Sequence, residues 1–535
     1  MTLAHRLPIA LAFCIESFLL VLKRDLIIAV DVGTTALKLA AVDRSMSIVA
    51  SVSKPYPTSF PQSGWAEQNP EEWWGAFALA IKDLKKKIPA LNDRAGALVF
   101  AAQMCGVIAV DESGKPLRPA IIWLDKRAGH LMRQALRGIP MLFGYGAYGL
   151  LSSIFWTNGA PSLNGMDPPA KMMWLKKHEP KVWEKTHKLL DVKDWLVHRA
   201  SNKFVTTADS ANLTWMMNTR QGQEAWSTKL MKRYGVPREK LPEIVSGQMS
   251  PGGLTAKAAK EVGLYEGLPI LAGLGDVCAA ALGSGAVNDG ELHISIGTSA
   301  WIGGFFKSRR LSASEAYATI LCPIENRPLL IATQETASAC LDWLAKIIGD
   351  EPVAVVSEQQ TLPLFLPWLA GERVPVDDNR LRGAFLGLNL QHDRASLYAA
   401  VMEGIALNLR WAMSSVRKQR GVQLQSHMVL VGGGANNAAL AQVLADCLQI
   451  DLVTNTAPHM AGVLGAAALA SAHLEWSETA WQATASIAKN QNIIYSAKPA
   501  RAAYYDQRFV LFKKAYRSNI SWFWQFAAQI GGKYD

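Results

Sequence analysis

Four short stretches hold residues whose types and spacing suit chemistry in this chain of 535 residues. The first is LIIAVDVGTTALKLA, Leu26 to Ala40, where an apolar run breaks at Asp31 into Gly33-Thr34-Thr35 and then resumes. A carboxylate followed by a glycine and two hydroxyls suits a turn that holds phosphate and a metal ion. A β-hairpin whose turn is simply polar reads equally well from these residues alone. The second is ELHISIGTSAWIGGFF, Glu291 to Phe306, where Gly297-Thr298-Ser299 makes the same kind of turn and Ser295 stands in place of the aspartate. Repetition of one unit in two halves of a chain is an architectural signal. The third is MVLVGGGANNAALAQVLADCL, Met428 to Leu448, an apolar strand ending in Gly432-Gly433-Gly434 before a helix that Asn436 or Asn437 can cap. Glycines there let a ligand approach the backbone, and a helix start offers N–H groups to an anion. A tight strand-to-helix turn needs glycine too. No GxxxxGK[ST] loop is present, so a nucleotide site would be of another type. The fourth is GLPILAGLGDVCAAALGSGA, Gly267 to Ala286, where Asp276 opens an alanine-rich helix. Asp276 reads either as that helix's N-cap or as a carboxylate placed to accept a proton.

The elements that must position these turns alternate. A strand from Pro269 to Ala272 precedes Asp276, and Ser47 to Val52 returns after the first hairpin through a turn at Asp43-Arg44-Ser45. Pro70 to Lys87 reads as a helix with proline in its first turn, and Arg394 to Gln419 keeps helical apolar spacing. Strands and helices interleave throughout, so the expected class is α/β. The length calls for more than one domain. Half the residues are hydrophobic and 19% are charged, which is ordinary globular composition. The net charge of +11 is spread out; the densest run, Lys85-Lys86-Lys87, ends a helix. No aromatic and basic stripe suggests stacked bases, so nucleic acid is not an expected partner.

Six cysteines (Cys14, Cys105, Cys278, Cys322, Cys340, Cys447) lie far apart without a CxxC pair. That argues against zinc and a disulfide framework and for the reducing cytoplasm. Leu7 to Leu22 is mostly apolar, but Glu16 interrupts it and no small-residue cleavage site follows. Residues 1–24 are therefore read as an extension outside the fold, with no stable membrane association expected.

In their order along the chain these pieces resemble the FGGY family of carbohydrate kinases, and within it the xylulokinase-like branch. The resemblance runs from about Asp25 onward. It rests on Asp31 to Lys38, GWAEQNPEEWW at Gly64 to Trp74, AAQMCGV at Ala101 to Val107 and PLRPAIIWLDKRA at Pro116 to Ala128. GLGD ending at Asp276, SIGTSA at Ser295 to Ala300, LFLPWLAGERVP at Leu364 to Pro375 and GGGANN at Gly432 to Asn437 complete it. The resemblance implies two actin-like (ribonuclease H-like) domains with a deep cleft between them. Residues 25–284 would carry the sugar and Mg²⁺-phosphate side, 285–490 the nucleotide side, and 491–535 would form a helical tail. It implies ATP and Mg²⁺ as cofactors. Asp31, with Asp276, would hold the metal, and Thr34, Thr35, Lys38, Gly297 and Thr298 would face the phosphates. Gly433, Gly434 and Asn437 would line the adenosine, with Ser338 of TASACLDWL (Thr336 to Leu344) beside the adenine. Gln103, Met104, Cys105 and Asp276 would meet a small sugar or polyol, and Asp276 would be the catalytic base. The implied reaction is ATP-dependent phosphorylation of D-xylulose, with another ketose or polyol as the alternative acceptor and a non-catalytic ATP-binding scaffold as the lesser reading. Similar kinases commonly dimerise, so a homodimer is an expectation as well.

Two residues depart from the family's pattern. Cys105 stands where a histidine is usual, and Val277 follows Asp276 where an asparagine is usual. Both changes remove polar groups near the expected acceptor. Cys105 has no neighbouring histidine and reads as a packed thiol rather than a nucleophile. Asp125 and Arg127 read as substrate ligands or as a structural ion pair, Glu372 and Arg373 as organisers of the domain interface. Trp73, Trp74, Trp522 and Trp524 read as packing residues.

Overall fold

The computed structural model describes residues 24–530 except 313, 351–360, 424 and 490, so the apolar extension lies almost wholly outside the described residues. Strands β1 (Leu26–Val32), β2 (Ala36–Asp43) and β3 (Ile48–Pro55) form an antiparallel meander. Helix α1 (Pro70–Lys87) covers it: Asn69 accepts from the Glu71 N–H, Pro70 starts the helix, and lysines fill its last turn. Its apolar face, with Trp73 and Phe77, lies on β2 and β3. Strand β4 (Ala95–Ala102) runs parallel to β1 and is buried along its whole length, as a central strand covered on both faces must be. After a long helical excursion come β5 (Gly252–Gly253), β6 (Pro269–Ile270) and β7 (Leu274–Gly275). The sheet order is β5-β6-β4-β1-β2-β3, with β7 also pairing β4.

Helix α2 (Asp276–Gly283) leads to the second sheet. There β8 (Leu292–Ile296) and β9 (Ala300–Phe305) repeat the hairpin, and β10 (Leu311–Ser312), β11 (Tyr317–Leu321) and β12 (Pro328–Gln334) extend it. Helices α3 (Ser338–Ile348) and α4 (Arg394–Val416) precede β13 (His427–Val431), which is parallel to β8 as β4 is to β1. Then follow α5 (Ala438–Leu448), β14 (Asp451–Thr454), α6 (Ala461–His473), α7 (Ala480–Lys489) and β15 (Ile493–Tyr495). The second sheet reads β10-β11-β12-β9-β8-β13-β14-β15. The repeat read from the two turns is thus a repeat of topology: a meander with parallel strands added beside its first member.

The stretch after residue 490 is not helical throughout. It opens with β15 on the edge of the second sheet, and α8 (Ala502–Ile530) then packs Phe512 and Phe523 against Trp368 in that lobe's core. Between the sheets lies a further apolar cluster that draws on both halves, with Ile27, Val99, Cys278, Phe305 and Val463. Helix α6 joins the halves by lying against α2, β1 and β4. Small residues make that approach possible: a Cβ on Gly465 would stand 1.8 Å from the Ala279 carbonyl oxygen. Trp73 and Trp74 are buried as expected. Trp522 is 54% exposed and packs at the surface, stacking on Phe526.

Candidate active site

Parallel strands deliver their C-terminal ends to one edge of a sheet, and loops leaving that edge converge. In the first sheet Val32 of β1 pairs with Ala102 of β4, and Gly275 of β7 pairs with Ala102 as well. The three chains leaving this edge carry Gly33-Thr34-Thr35, Gln103-Met104-Cys105 and Asp276. Residues about 240 positions apart in sequence, from Asp31 to Asp276, are thereby gathered at one place. In the second sheet Ser295 of β8 pairs with Val431 of β13, which sets the Gly297–Ser299 turn beside Gly432–Gly434.

Asp31 and Lys38 face one another across the first hairpin. Burial pushes the Asp31 carboxyl up, against the pull of Lys38. Its Oδ1 is buried with no hydrogen-bond partner among the described residues. Gly462, at the start of α6, permits this crowding, since a Cβ there would lie 2.6 Å from Asp31 Oδ2. Lys38 Nζ donates to the His459 carbonyl at 3.0 Å and so reaches the loop before α6. Trp123 Nε1 donates to Thr34 Oγ1 at 2.9 Å, and Gln68 Nε2 donates to the Thr34 carbonyl at 2.6 Å. Tyr56 donates to the Gly33 carbonyl. Thr35 is exposed.

Asp276 is not the N-cap of α2. Gly275 holds that position, and Asp276 is the first helical residue. Burial first, and then the negative charge of Asp31, push its carboxyl up to about 8. A raised proton affinity suits a carboxylate that has to accept a proton. Asp209 holds the chain before it by accepting from the Gly275 N–H at 2.6 Å. Nothing in the local sequence around Asp209 marks that role, because the bond spans distant segments.

Asp276 and Val277 line a cleft cavity of about 380 Å³ together with Met104, Cys105 and Trp301. Gln103 does not reach its wall. It is buried and donates to Gln68 Oε1 at 2.7 Å, so it braces the turn beneath. Burial pushes the Cys105 thiol well up, which fits a packed, unreactive thiol. The same cavity takes in Asp167, Glu335, Arg373 and Asp377. Arg373 Nε stands 2.9 Å from Glu335 Oε1, and the negative charges of Glu335, Asp167 and Asp377 push the guanidinium further up. Its neighbour Glu372 plays the structural part alone: it accepts from the Glu335 and Arg373 N–H groups and from Asn408 Nδ2. Asp125 and Arg127 also turn out to be structural. Their ion pair, at 2.7 Å, is buried, and Arg127 lies 3.6 Å from the Trp65 ring centre.

On the second sheet's side of the cleft Thr298 and Gly433 are exposed, and open space surrounds Gly433. A Cβ on Gly434 would meet Ser338 Oγ at 2.6 Å, so this loop lies directly on the start of α3. The carbonyls of Gly297 and Thr298 accept from the N–H groups of Ser338 and Ala337, which anchors the second turn to that helix. Asn437, rather than Asn436, caps α5 by accepting from the Leu440 N–H at 3.0 Å.

Two sheets of this repeated topology, with their turns converging on a cleft, define the actin-like sugar-kinase fold. The profile of the FGGY family of carbohydrate kinases matches the chain twice, its N-terminal domain over residues 26–283 and its C-terminal domain over residues 292–474. The xylulose kinase of Escherichia coli is 32% identical over 454 residues, covering 83% of this chain and 89% of that protein. The structure of ligand-bound xylulose kinase from Lactobacillus acidophilus superposes with a TM-score of 0.81 at 24% identity, covering 94% and 99% of the two chains. The structure of gluconate kinase from Lactobacillus acidophilus gives a TM-score of 0.80 at 25% identity, covering 94% and 99%. The chain belongs to the FGGY family of carbohydrate kinases and is a sugar kinase. Membership of that family implies ATP as phosphoryl donor. Among the described residues no helix is long and apolar enough to cross a membrane.

Proposed function

We infer that the protein transfers the γ-phosphoryl group of ATP to a hydroxyl of a small neutral ketose, with D-xylulose as the reference acceptor. The observation that carries this reading is the placement of Asp276 on the cavity wall, beside the buried charge of Asp31. On this reading Asp276 takes the proton of the acceptor hydroxyl as that oxygen attacks in line, a role worth about 10²–10⁴-fold in rate. Thr34, Thr35, Lys38, Gly297 and Thr298 bind and orient the phosphates. Gly433, Gly434, Asn437 and Ser338 bind the nucleoside. Contact between the two lobes excludes water from the cleft.

The residues present fit a magnesium ion. Asp31 Oδ1 is a buried carboxylate oxygen without a partner among the described residues, at the edge where the chain carrying Asp276 also leaves the sheet. Such a donor set suits Mg²⁺, which keeps most of its waters and binds through one or two carboxylates and the substrate's phosphates. When bound, that ion neutralises charge on the phosphate oxygens.

Charge favours a neutral ketose over an aldonic acid. The cavity carries Asp167, Glu335 and Asp377 against Arg373, and Arg373 is already paired with Glu335. A carboxylate substrate would add to that negative field. We place the protein in the cytoplasm on its scattered cysteines, and as a homodimer on the resemblance. The test is ADP release with Mg²⁺-ATP, with and without D-xylulose, other neutral ketoses, polyols or gluconate. Stimulation by a neutral acceptor that disappears in Asp276→Asn supports the reading. ATP binding with no stimulation by any acceptor contradicts it.

A further inference from the structure

The wall of the cavity next to Asp276 is apolar. Met104, Cys105, Leu213, Val277, Trp301 and Ile320 all line the cavity and all belong to, or pack on, the apolar cluster between the sheets. Burial keeps Cys105 a neutral thiol, a weak hydrogen-bonding group. Several polar atoms around this wall are engaged elsewhere. The Cys105 carbonyl accepts from Lys171 Nζ at 2.7 Å, and the Gly106 N–H donates to Asp191 Oδ1 at 2.9 Å. The Gly275 N–H goes to Asp209, the Val277 N–H turns to Asp276, and Trp123 Nε1 goes to Thr34.

The polar pole lies elsewhere in the cavity. Asp167, Glu335 and Asp377 gather around Arg373, whereas the carboxylates that act most on Asp276 are Asp31, Asp191 and Asp209. Arg373 keeps 36% of its side chain exposed and lines the cavity. The guanidinium's terminal N–H groups and the Asp167 carboxylate suit hydroxyls at that end.

We propose that the preferred acceptor is a neutral sugar or polyol with a deoxygenated edge, a methyl or methylene carbon seated against Cys105 and Val277, while its hydroxyls are read at Arg373 and Asp167. This rests on the kinase reading above and specifies its substrate class. A hydroxyl pressed against the Cys105 and Val277 side chains loses its water and finds only a weak thiol there, while a C–H edge loses nothing. An apolar pocket rejects an added hydroxyl only modestly, so the expected preference is roughly 10–100-fold in kcat/KM rather than absolute.

The experiment uses the full-length protein with Mg²⁺-ATP and measures kcat/KM for D-xylulose and for analogues each lacking one hydroxyl, with gluconate alongside. One deoxy analogue should exceed D-xylulose by roughly 10–100-fold. Val277→Asn and, separately, Cys105→His should shrink that ratio toward one by restoring hydrogen-bonding groups. Arg373→Gln should raise KM for D-xylulose and for the favoured analogue alike. An active enzyme that prefers D-xylulose over every analogue overturns the proposal and leaves the kinase reading intact. If no acceptor, D-xylulose included, stimulates ADP release, the kinase reading fails and takes the proposal with it. The wild-type panel decides the matter even where a variant fails to fold.

Discussion

Hairpins β1–β2 and β8–β9 share a turn and a place in their sheets, yet the strands deliver different groups to it. In the first, Asp31 lies opposite Lys38, and its buried carboxylate acts on Asp276. In the second, Ser295 lies opposite Trp301, and His293, two residues before it, is buried against that same ring. The second turn is tied to α3 through its carbonyls, whereas the first is braced by side chains, Tyr56 and Gln68 below it and Trp123 beside it. One backbone unit therefore sits in two settings: a charged turn braced by side chains beside Asp276, and a neutral turn tied through α3 to the Gly432–Gly434 loop. The repetition supplies shape, and the neighbours supply chemistry.

The largest effect expected is at the meeting point of the first hairpin with α2. Asp276→Asn should lower kcat by about 10²–10⁴-fold, with ATP affinity unchanged by calorimetry; a loss below tenfold would remove it as the base. Asp31→Asn should weaken Mg²⁺ activation by about 10–100-fold, read as the Mg²⁺ concentration for half-maximal rate. Adding Ser295→Asp should not rescue it, because Ser295 lies opposite Trp301 where Asp31 lies opposite Lys38; rescue would make the two hairpins interchangeable.

The nucleotide loop offers a smaller contrast. Gly434→Ala should cost about 1–3 kcal/mol in denaturant unfolding, since its Cβ would lie 2.4 Å from Ile296 Cγ2. Gly433→Ala, with nothing within 4 Å of its Cβ, should leave the midpoint alone and report only on nucleotide affinity. Equal destabilisation by both would refute the packing account.

A separate effect concerns pH. Burial holds the His293 imidazole down to about 3, from an ordinary 6.5. Between those values the unfolded chain binds a proton that the folded chain refuses, so stability falls as the solution is acidified through this window and is fully present above it. His293→Leu should flatten that slope in unfolding midpoints taken across the window. An unchanged slope would assign the acid sensitivity to other groups.

Much of the architecture was open to reading from the chain because it is local. Helix α1 spans Pro70–Lys87 as its cap, proline and apolar spacing indicate, and α4 stops at Val416, three residues before the reading's Gln419. The two hairpins announced themselves through alternation and glycine, and Asp31, Asp276, Met104 and Cys105 followed from the motifs around them. Gln103 was misjudged because a strand's direction does not reveal that Gln68 waits beneath it. Asp167, Asp209 and Glu335 gave no local signal. Their roles come from atoms brought near by chain segments far away in sequence.

By itself, then, the sequence determined many of the elements and the repeated turn, since these depend on short-range periodicity and residue type. Only the tertiary structure decided that β4 and β7 end together, so that Cys105 and Val277 form one apolar wall beside Asp276 and Arg373 collects three carboxylates elsewhere in the cavity. The physical reason is that charge and burial act through space: a carboxylate's proton affinity and a wall's polarity depend on what is folded against them.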